Sequence, residues 1–246
     1  MHNLAGKRVL ITGGGSGVGA DLARGFTQAG ADVVIAGRRL DQLQAVAATT
    51  GARALCCDVT DEASVQAMFA AAGACDIVIA NAGAADSGPL AKTTLVQWQA
   101  MLAVNLTGVF LTLRDGLNQM PGWGRLISVA STAGLKGYAK AAPYAAAKHG
   151  VVGLTRSLAL EIARRDITVN ALCPGFLDTP MTDASVQMIA AKTGRSPSDA
   201  RAALAAMNPQ GRLISPAEVT AAALFLCGPD SGGINGQAIA ISGGEG

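Results

Sequence analysis

Residues 8–19 read RVLITGGGSGVG. A β-branched apolar run ends at Thr12, and glycines then lead into a segment of helical pattern. Gly13, Gly17 and Gly19 are spaced G-x-x-x-G-x-G. Glycines there permit a tight turn, let backbone approach a pyrophosphate and let the helix pack close against the strand. The helix N-terminus then faces the phosphate charge. A glycine loop between a first strand and a first helix therefore predicts dinucleotide binding on an α/β fold.

The rest of the chain repeats that rhythm. DVVIAG (32–37), ARALCC (52–57), DIVIA (76–80), RLISVA (125–130), ITVNALC (167–173) and QAIAI (237–241) read as further strands. Most are apolar on both faces, as strands of a parallel sheet covered on both sides are. Helical patterns fall near 17–29, 39–49, 61–72, 94–119, 142–165 and 216–227, with Asp61 placed to cap the third. This alternation predicts right-handed crossovers and one doubly wound, seven-stranded parallel sheet with helices on both faces. Residues 176–215 break the rhythm with two weak helical patterns, 182–193 and 197–207, separated by TGRSP. Insertions of this kind are often lids, so 176–212 is expected to be a helical substrate lid on a single domain spanning 1–246.

Composition argues against several functions. Of 246 residues half are apolar and 15% charged, with 31 glycines and a net charge of +2. That mix suits close packing rather than disorder. Lys and Arg form no stripe, which argues against nucleic acid or an anionic membrane as partner. No stretch reaches the roughly 18 unbroken apolar residues of a membrane span. MHNLAGKRVLITGGG has glycines where a signal peptide would be cleaved, and reads as the first strand of a mature chain. The five cysteines (Cys56, Cys57, Cys75, Cys173, Cys227) follow no metal-ligand spacing and suit apolar packing in a reducing compartment. His2 and His149 are the only histidines, so a multi-histidine metal site is excluded and no metal is expected. A soluble cytoplasmic protein is predicted.

The end of the second strand bears on the cofactor. A carboxylate there would accept from the ribose 2′-hydroxyl of NAD and repel a 2′-phosphate. Here Gly37 is followed by Arg38 and Arg39. A small residue leaves room and a guanidinium fork suits phosphate; the alternative is two solvated arginines opening a helix. Asp58, in CCDVT, either accepts from an adenine amino group or caps the next element. ANAGA (80–84) ends the fourth strand beside the same crevice.

YAAAK (144–148) puts Tyr144 and Lys148 one turn apart on one helix face. A free tyrosine has a pKa of about 10, so a phenolate near pH 7 requires about 4 kcal/mol. A fixed ammonium supplies part of that. The pattern is weak alone, but it has company. SVASTAG (128–134) offers Ser128, Ser131 and Thr132, Asn105 interrupts a helical pattern that asparagine disfavours, and CPGFLDT (173–179) follows the sixth strand. All fall on the side of the sheet where the glycine loop lies.

Over essentially its whole length the chain resembles the single-domain short-chain dehydrogenases/reductases. The resemblance implies a Rossmann domain binding NADP, with NAD as second choice. Gly13, Gly15, Ser16, Gly17, Val18 and Gly19 match the cofactor loop, and Asp58 and Val59 the adenine contact. Asn81, Ala82 and Gly83 match the segment behind the nicotinamide ribose, and Pro174, Gly175 and Thr179 the carboxamide contact. Asn105, Ser131, Tyr144 and Lys148 match the catalytic set. It implies that Tyr144 exchanges a proton with the substrate oxygen, Lys148 lowers the tyrosine pKa and holds the ribose, Ser131 holds the substrate oxygen, and Asn105 anchors a water. Arg38 and Gly37 point to NADP, whereas Ser16 stands where NADP-preferring relatives often carry a basic residue.

The substrate is expected to be a small-molecule ketone or secondary alcohol, with 3-oxoacyl or 3-hydroxyacyl thioesters the nearest analogy. Leu135, Phe176, Leu177, Met181, Met188 and Met207 suggest an apolar pocket. Lys192, Arg195 and Arg201 either meet a phosphorylated carrier or form a solvated face. Tyr138 is either a pocket wall or plain packing, and His149 points away from the site. Small residues on 142–165 (Ala145 to Ala147, Gly150, Gly153) would permit the helix pairing of a homotetramer. A non-catalytic sensor or scaffold is the competing reading; it predicts erosion of the catalytic set, which is complete.

Overall fold

The computed structural model describes residues 3–120 and 122–245, so His2 lies outside the described residues. The strands are β1 (Arg8–Thr12), β2 (Asp32–Gly37), β3 (Arg53–Cys56), β4 (Ile77–Ala80), β5 (Gly124–Val129), β6 (Ile167–Pro174) and β7 (Ala238–Ile241). They form one seven-stranded sheet in the order β3-β2-β1-β4-β5-β6-β7, every pairing parallel. Helices α1 (Gly17–Gln28), α2 (Leu40–Thr50), α3 (Glu62–Ala72), α4 (Leu95–Leu102), α5 (Gly108–Gln119), α6 (Ala142–Glu161), α7 (Pro180–Thr193), α8 (Pro197–Ala205) and α9 (Pro216–Leu226) complete it.

Strand periodicity divides the core into two layers. Val9 and Ile11 face the layer that holds Leu22 and Phe26 of α1 and Val219 of α9. Leu10 faces the layer that holds Phe69 of α3, Leu113 of α5 and Val151 of α6. Chain order reverses between β1 and β4, and open sheets of this kind bind ligands in the crevice at such a switch point.

Three details differ from the sequence expectation. The pattern over 94–119 is interrupted by a π-turn at Ala103–Thr107, and the helix expected to reach 165 ends at Glu161. By length and composition Leu95–Gln119 is long and apolar enough to cross a membrane. One third of that apolar window is buried in the domain: Val109, Leu113 and Gly116 face inward, and Gly116 lies against Val78 of β4. The insertion after β6 is α7 and α8, with a small core of its own around Val186, Ala200 and Leu204.

Candidate active site

The glycine loop is held by backbone with no room for side chains. Gly13 and Gly17 have φ of +70° and +53°, a region that favours glycine. A Cβ on Gly19 would overlap the Gly13 carbonyl oxygen and stand 2.7 Å from Asn81 Nδ2. Ser16 is the N-cap of α1 but makes no side-chain cap, and the first turn carries no acidic residue. Its amides are left for an anion, which fits a dinucleotide pyrophosphate. Val18 is buried behind the loop. Gly15 backs onto Gln42 of α2, and Gly14, which sequence reasoning passed over, abuts the Ile35 side chain.

The strand ends converge on this loop. Asn81 Nδ2 donates to the Thr12 and Gly13 carbonyls at 2.9 and 3.2 Å. The Asn81 and Ala82 amides both donate to Thr12 Oγ1, at 3.1 and 3.2 Å. Thr12 thus ties β1 to β4 at the switch point, a role its place before the glycines did not reveal. Arg38 and Arg39 are exposed, and Arg39 reaches Ser16 Oγ at 3.5 Å. Asp58 uses Oδ1 to accept from the Thr60 amide and hydroxyl. Those bonds hold its carboxyl below the usual range, chiefly the Thr60 amide, with Arg38 adding a smaller pull. Asp58 therefore caps the following turn through Oδ1. Val59 is buried against Gly108 of α5, so only its backbone is available to a ligand.

The four expected catalytic residues gather at the ends of β4 and β5. Lys148 is buried, and its Nζ donates to the Val129 carbonyl at 2.8 Å while lying 5.6 Å from the Tyr144 ring centroid. Asn105 is fully buried at the π-turn, a device frequent at functional sites. Its Oδ1 accepts from the Ala84 amide at 3.2 Å, and its Nδ2 donates to the Ala84 and Met101 carbonyls at 2.9 and 3.1 Å. A Cβ on Gly83 would stand 2.9 Å from Asn105 Oδ1 and 3.8 Å from Lys148 Nζ, so glycine lets the two approach. Ser131 caps the short turn Thr132–Gly134, accepting from the Ala133 amide at 3.1 Å.

The electrostatics depart from the expectation that Lys148 lowers the tyrosine. Burial raises the Tyr144 phenol above its ordinary value, and the Ser131 hydroxyl is the group pulling it back. The ammonium sits over the ring and is engaged by the Val129 carbonyl, not by the phenol oxygen. Burial also lowers Lys148 to about 8. At pH 7 the site thus holds a neutral phenol beside a lysine still mostly protonated.

The segment after β6 crosses the site. Pro174 ends the strand in the core, and the Gly175 amide donates to the Ile241 carbonyl at 3.0 Å. Thr179 is the N-cap of α7, and a Cβ on Gly17 would meet its Cγ2 at 3.4 Å, which brings the insertion against the glycine loop. Asn208, unnoticed in the sequence, is fully buried: Oδ1 accepts from the Phe176 amide while Nδ2 donates to the Phe176 and Arg212 carbonyls. Tyr138 stands edge-on to Phe176 with centroids 6.1 Å apart, and its hydroxyl lies 2.7 Å from Thr132 Oγ1. Met181 and Met207 are exposed, not enclosed in a pocket. Arg201 pairs with Asp178 and Asp183, so it is a strut of the insertion and not a free cation for a carrier. His149 is exposed and turns back to the Ala145 carbonyl at 2.9 Å. Among the described residues no cluster suited to a metal occurs.

A family profile described as enoyl-(acyl carrier protein) reductase matches residues 13–245. The chain is 38% identical over 251 residues to cis-4-hydroxycyclohexanecarboxylate dehydrogenase of Sinomonas cyclohexanicum, covering 98% of this chain and 96% of that one. It is 34% identical over 250 residues to a 3-oxoacyl-(acyl-carrier-protein) reductase of Vibrio harveyi, covering 98% of each. A crystal structure of an actinorhodin polyketide ketoreductase variant with NADPH matches at TM-score 0.90 and 35% identity, covering 100% of this chain and 99% of that one. Fold and site together define a dinucleotide-dependent oxidoreductase. Within that class the chain belongs to the short-chain dehydrogenase/reductase family, and it is an enzyme.

Proposed function

We propose that the enzyme reduces a ketone to a secondary alcohol with NADPH, Tyr144 donating the proton. The observation that carries this is the half-buried, neutral Tyr144 set beside the buried Lys148, opened toward the crevice by Gly83. When bound, the nicotinamide supplies a hydride from its C4 to the carbonyl carbon. The chain's residues do the rest. Gly13, Gly15, Ser16, Gly17, Val18 and Gly19 hold the pyrophosphate at the start of α1, Asp58 and the Val59 backbone meet the adenine, and Arg38 with Arg39 meets the 2′-phosphate. Asn81, Ala82, Gly83 and Lys148 hold the nicotinamide ribose, and Pro174, Gly175 and Thr179 the carboxamide. Ser131 hydrogen-bonds the substrate oxygen as charge develops on it. A phenol raised by burial keeps its proton until the far more basic alkoxide takes it, which suits reduction. Asn105 fixes the β4 loop beside Lys148 and holds the water that links that lysine to solvent protons, from which Tyr144 regains the proton it gave to the alkoxide.

Tyr138 and Phe176 form an apolar wall for the ketone. A mostly polar cleft of about 250 Å³, lined by Ser87, Thr93 and Gln97, carries Lys92 and Lys192 with Asp86 beside them, which suits the phosphorylated carrier of a thioester more than its acyl chain. The chain assembles as a homotetramer: Leu95, Val96, Phe110 and Leu160 expose one apolar face and Phe225 of α9 another. Two self-complementary interfaces on opposite layers close at four copies. An exposed free thiol at Cys56 suits the reducing cytoplasm. The test is NADPH consumption with an alicyclic ketone, a 3-oxoacyl coenzyme A and the same acyl group on N-acetylcysteamine. Turnover of any supports the ketone reading, and a lower KM for the coenzyme A thioester supports the lysine cleft. No turnover of any of them contradicts the ketone reading.

A further inference from the structure

Among groups the chemistry above does not use, one buried carboxylate stands out. Glu245, in the segment after β7, is 5% exposed, its Oε1 pairs with Lys136 Nζ at 3.0 Å and its Oε2 is buried without a partner among the described residues. A buried carboxylate oxygen left unpaired is costly and calls for a reason. Ser242 Oγ donates to the Glu245 carbonyl at 2.6 Å, which folds this segment back on itself. Lys136 lies in the loop between β5 and α6, and its ammonium is also 5.5 Å from the Tyr138 ring centroid. Tyr138 in turn touches Thr132, the residue next to Ser131, and stacks edge-on against Phe176. Burial, and then Glu245, raise the Tyr138 phenol. Lys136 therefore links the Glu245 carboxylate to the Tyr138 ring.

We infer that Glu245 is a positioning residue for ketone binding, holding Tyr138 in place by way of Lys136 and, through the contact of Tyr138 with Thr132, the Ser131 turn. The segment after β7 thereby sets the shape of the substrate pocket from behind, without touching substrate or cofactor. This rests on the ketone-reductase reading, but one of its consequences does not. In Glu245→Ala, hydrogen exchange of amides 132–141 rises while exchange in the glycine loop is unchanged, with no substrate present. With a turned-over ketone, KM rises about tenfold, kcat falls less, and the Kd for NADPH stays within about twofold. Glu245→Gln keeps an acceptor for Lys136 and recovers part of the KM. In a Lys136→Met background Glu245→Ala adds little, because Glu245 acts through that ammonium. Unchanged exchange at 132–141, fully additive effects, or a KM rise matched by an equal loss of NADPH affinity would overturn the proposal. If no ketone is reduced by the wild type, the function reading fails and the exchange experiment still decides this one.

Discussion

The glycine loop and the Tyr144–Lys148 cluster adjoin, yet they are built on opposite principles. Around Gly13 and Gly19 the structure depends on side chains being absent, because β1, β4 and α1 close to backbone contact there. Around Lys148 it depends on polar side chains being buried at a cost, with one ammonium answered by a carbonyl and one phenol raised by burial. The first arrangement is the one proposed to bind the cofactor and the second the one proposed to react. Binding and chemistry are therefore separable by substitution, and stability divides between them with opposite sign.

The largest separation is expected for Tyr144→Phe. Removing the proton donor slows turnover about 10³-fold, while NADPH titrated by nicotinamide fluorescence binds with unchanged Kd. Gly19→Ala does the reverse, destabilising the fold by about 3 kcal/mol through overpacking and abolishing NADPH binding; denaturant unfolding and the same titration read both. Lys148→Met is expected to be more stable than the wild type at pH 7, by about 2 kcal/mol, while inactive. The sign follows from the lysine pKa, which falls from 10.5 to about 8 on folding. Below pH 8 both states carry the proton and the native state bears the full burial cost. As pH rises from 8 toward 10.5 the native state sheds the proton first, so the wild type gains and the variant's advantage shrinks. Thermal unfolding across that window checks it. Smallest is Arg38→Ala, which weakens NADPH about tenfold and leaves NADH unchanged, consistent with one charge-assisted contact.

Legibility followed the same division. The strands and the cofactor loop could be read because strand hydrophobicity and glycine spacing are local signals, and each strand began and ended within a residue or so of its observed bounds. Asn105 announced itself as an asparagine in a helical pattern, but the π-turn that accommodates it depends on Ala84, distant in sequence. Thr12 and Asn208 were missed because their roles exist only in the folded backbone they clamp. The sequence left Arg201 open between a carrier contact and a solvated face, because the two carboxylates it pairs with lie 23 and 18 residues away. Spacing shows that a lysine is near the tyrosine, not which atom it faces; the fold sets its ammonium over the ring and on the Val129 carbonyl.

The most direct test of the central claim follows the hydrogen itself. The wild type is mixed with NADPH fully deuterated at C4 and a ketone it turns over, and the alcohol is analysed by mass spectrometry and NMR. The account predicts one deuterium on the carbinol carbon, and none there when unlabelled NADPH is used in deuterated water. A carbinol carbon labelled from solvent, or left unlabelled by the deuterated cofactor, would contradict hydride transfer at this site.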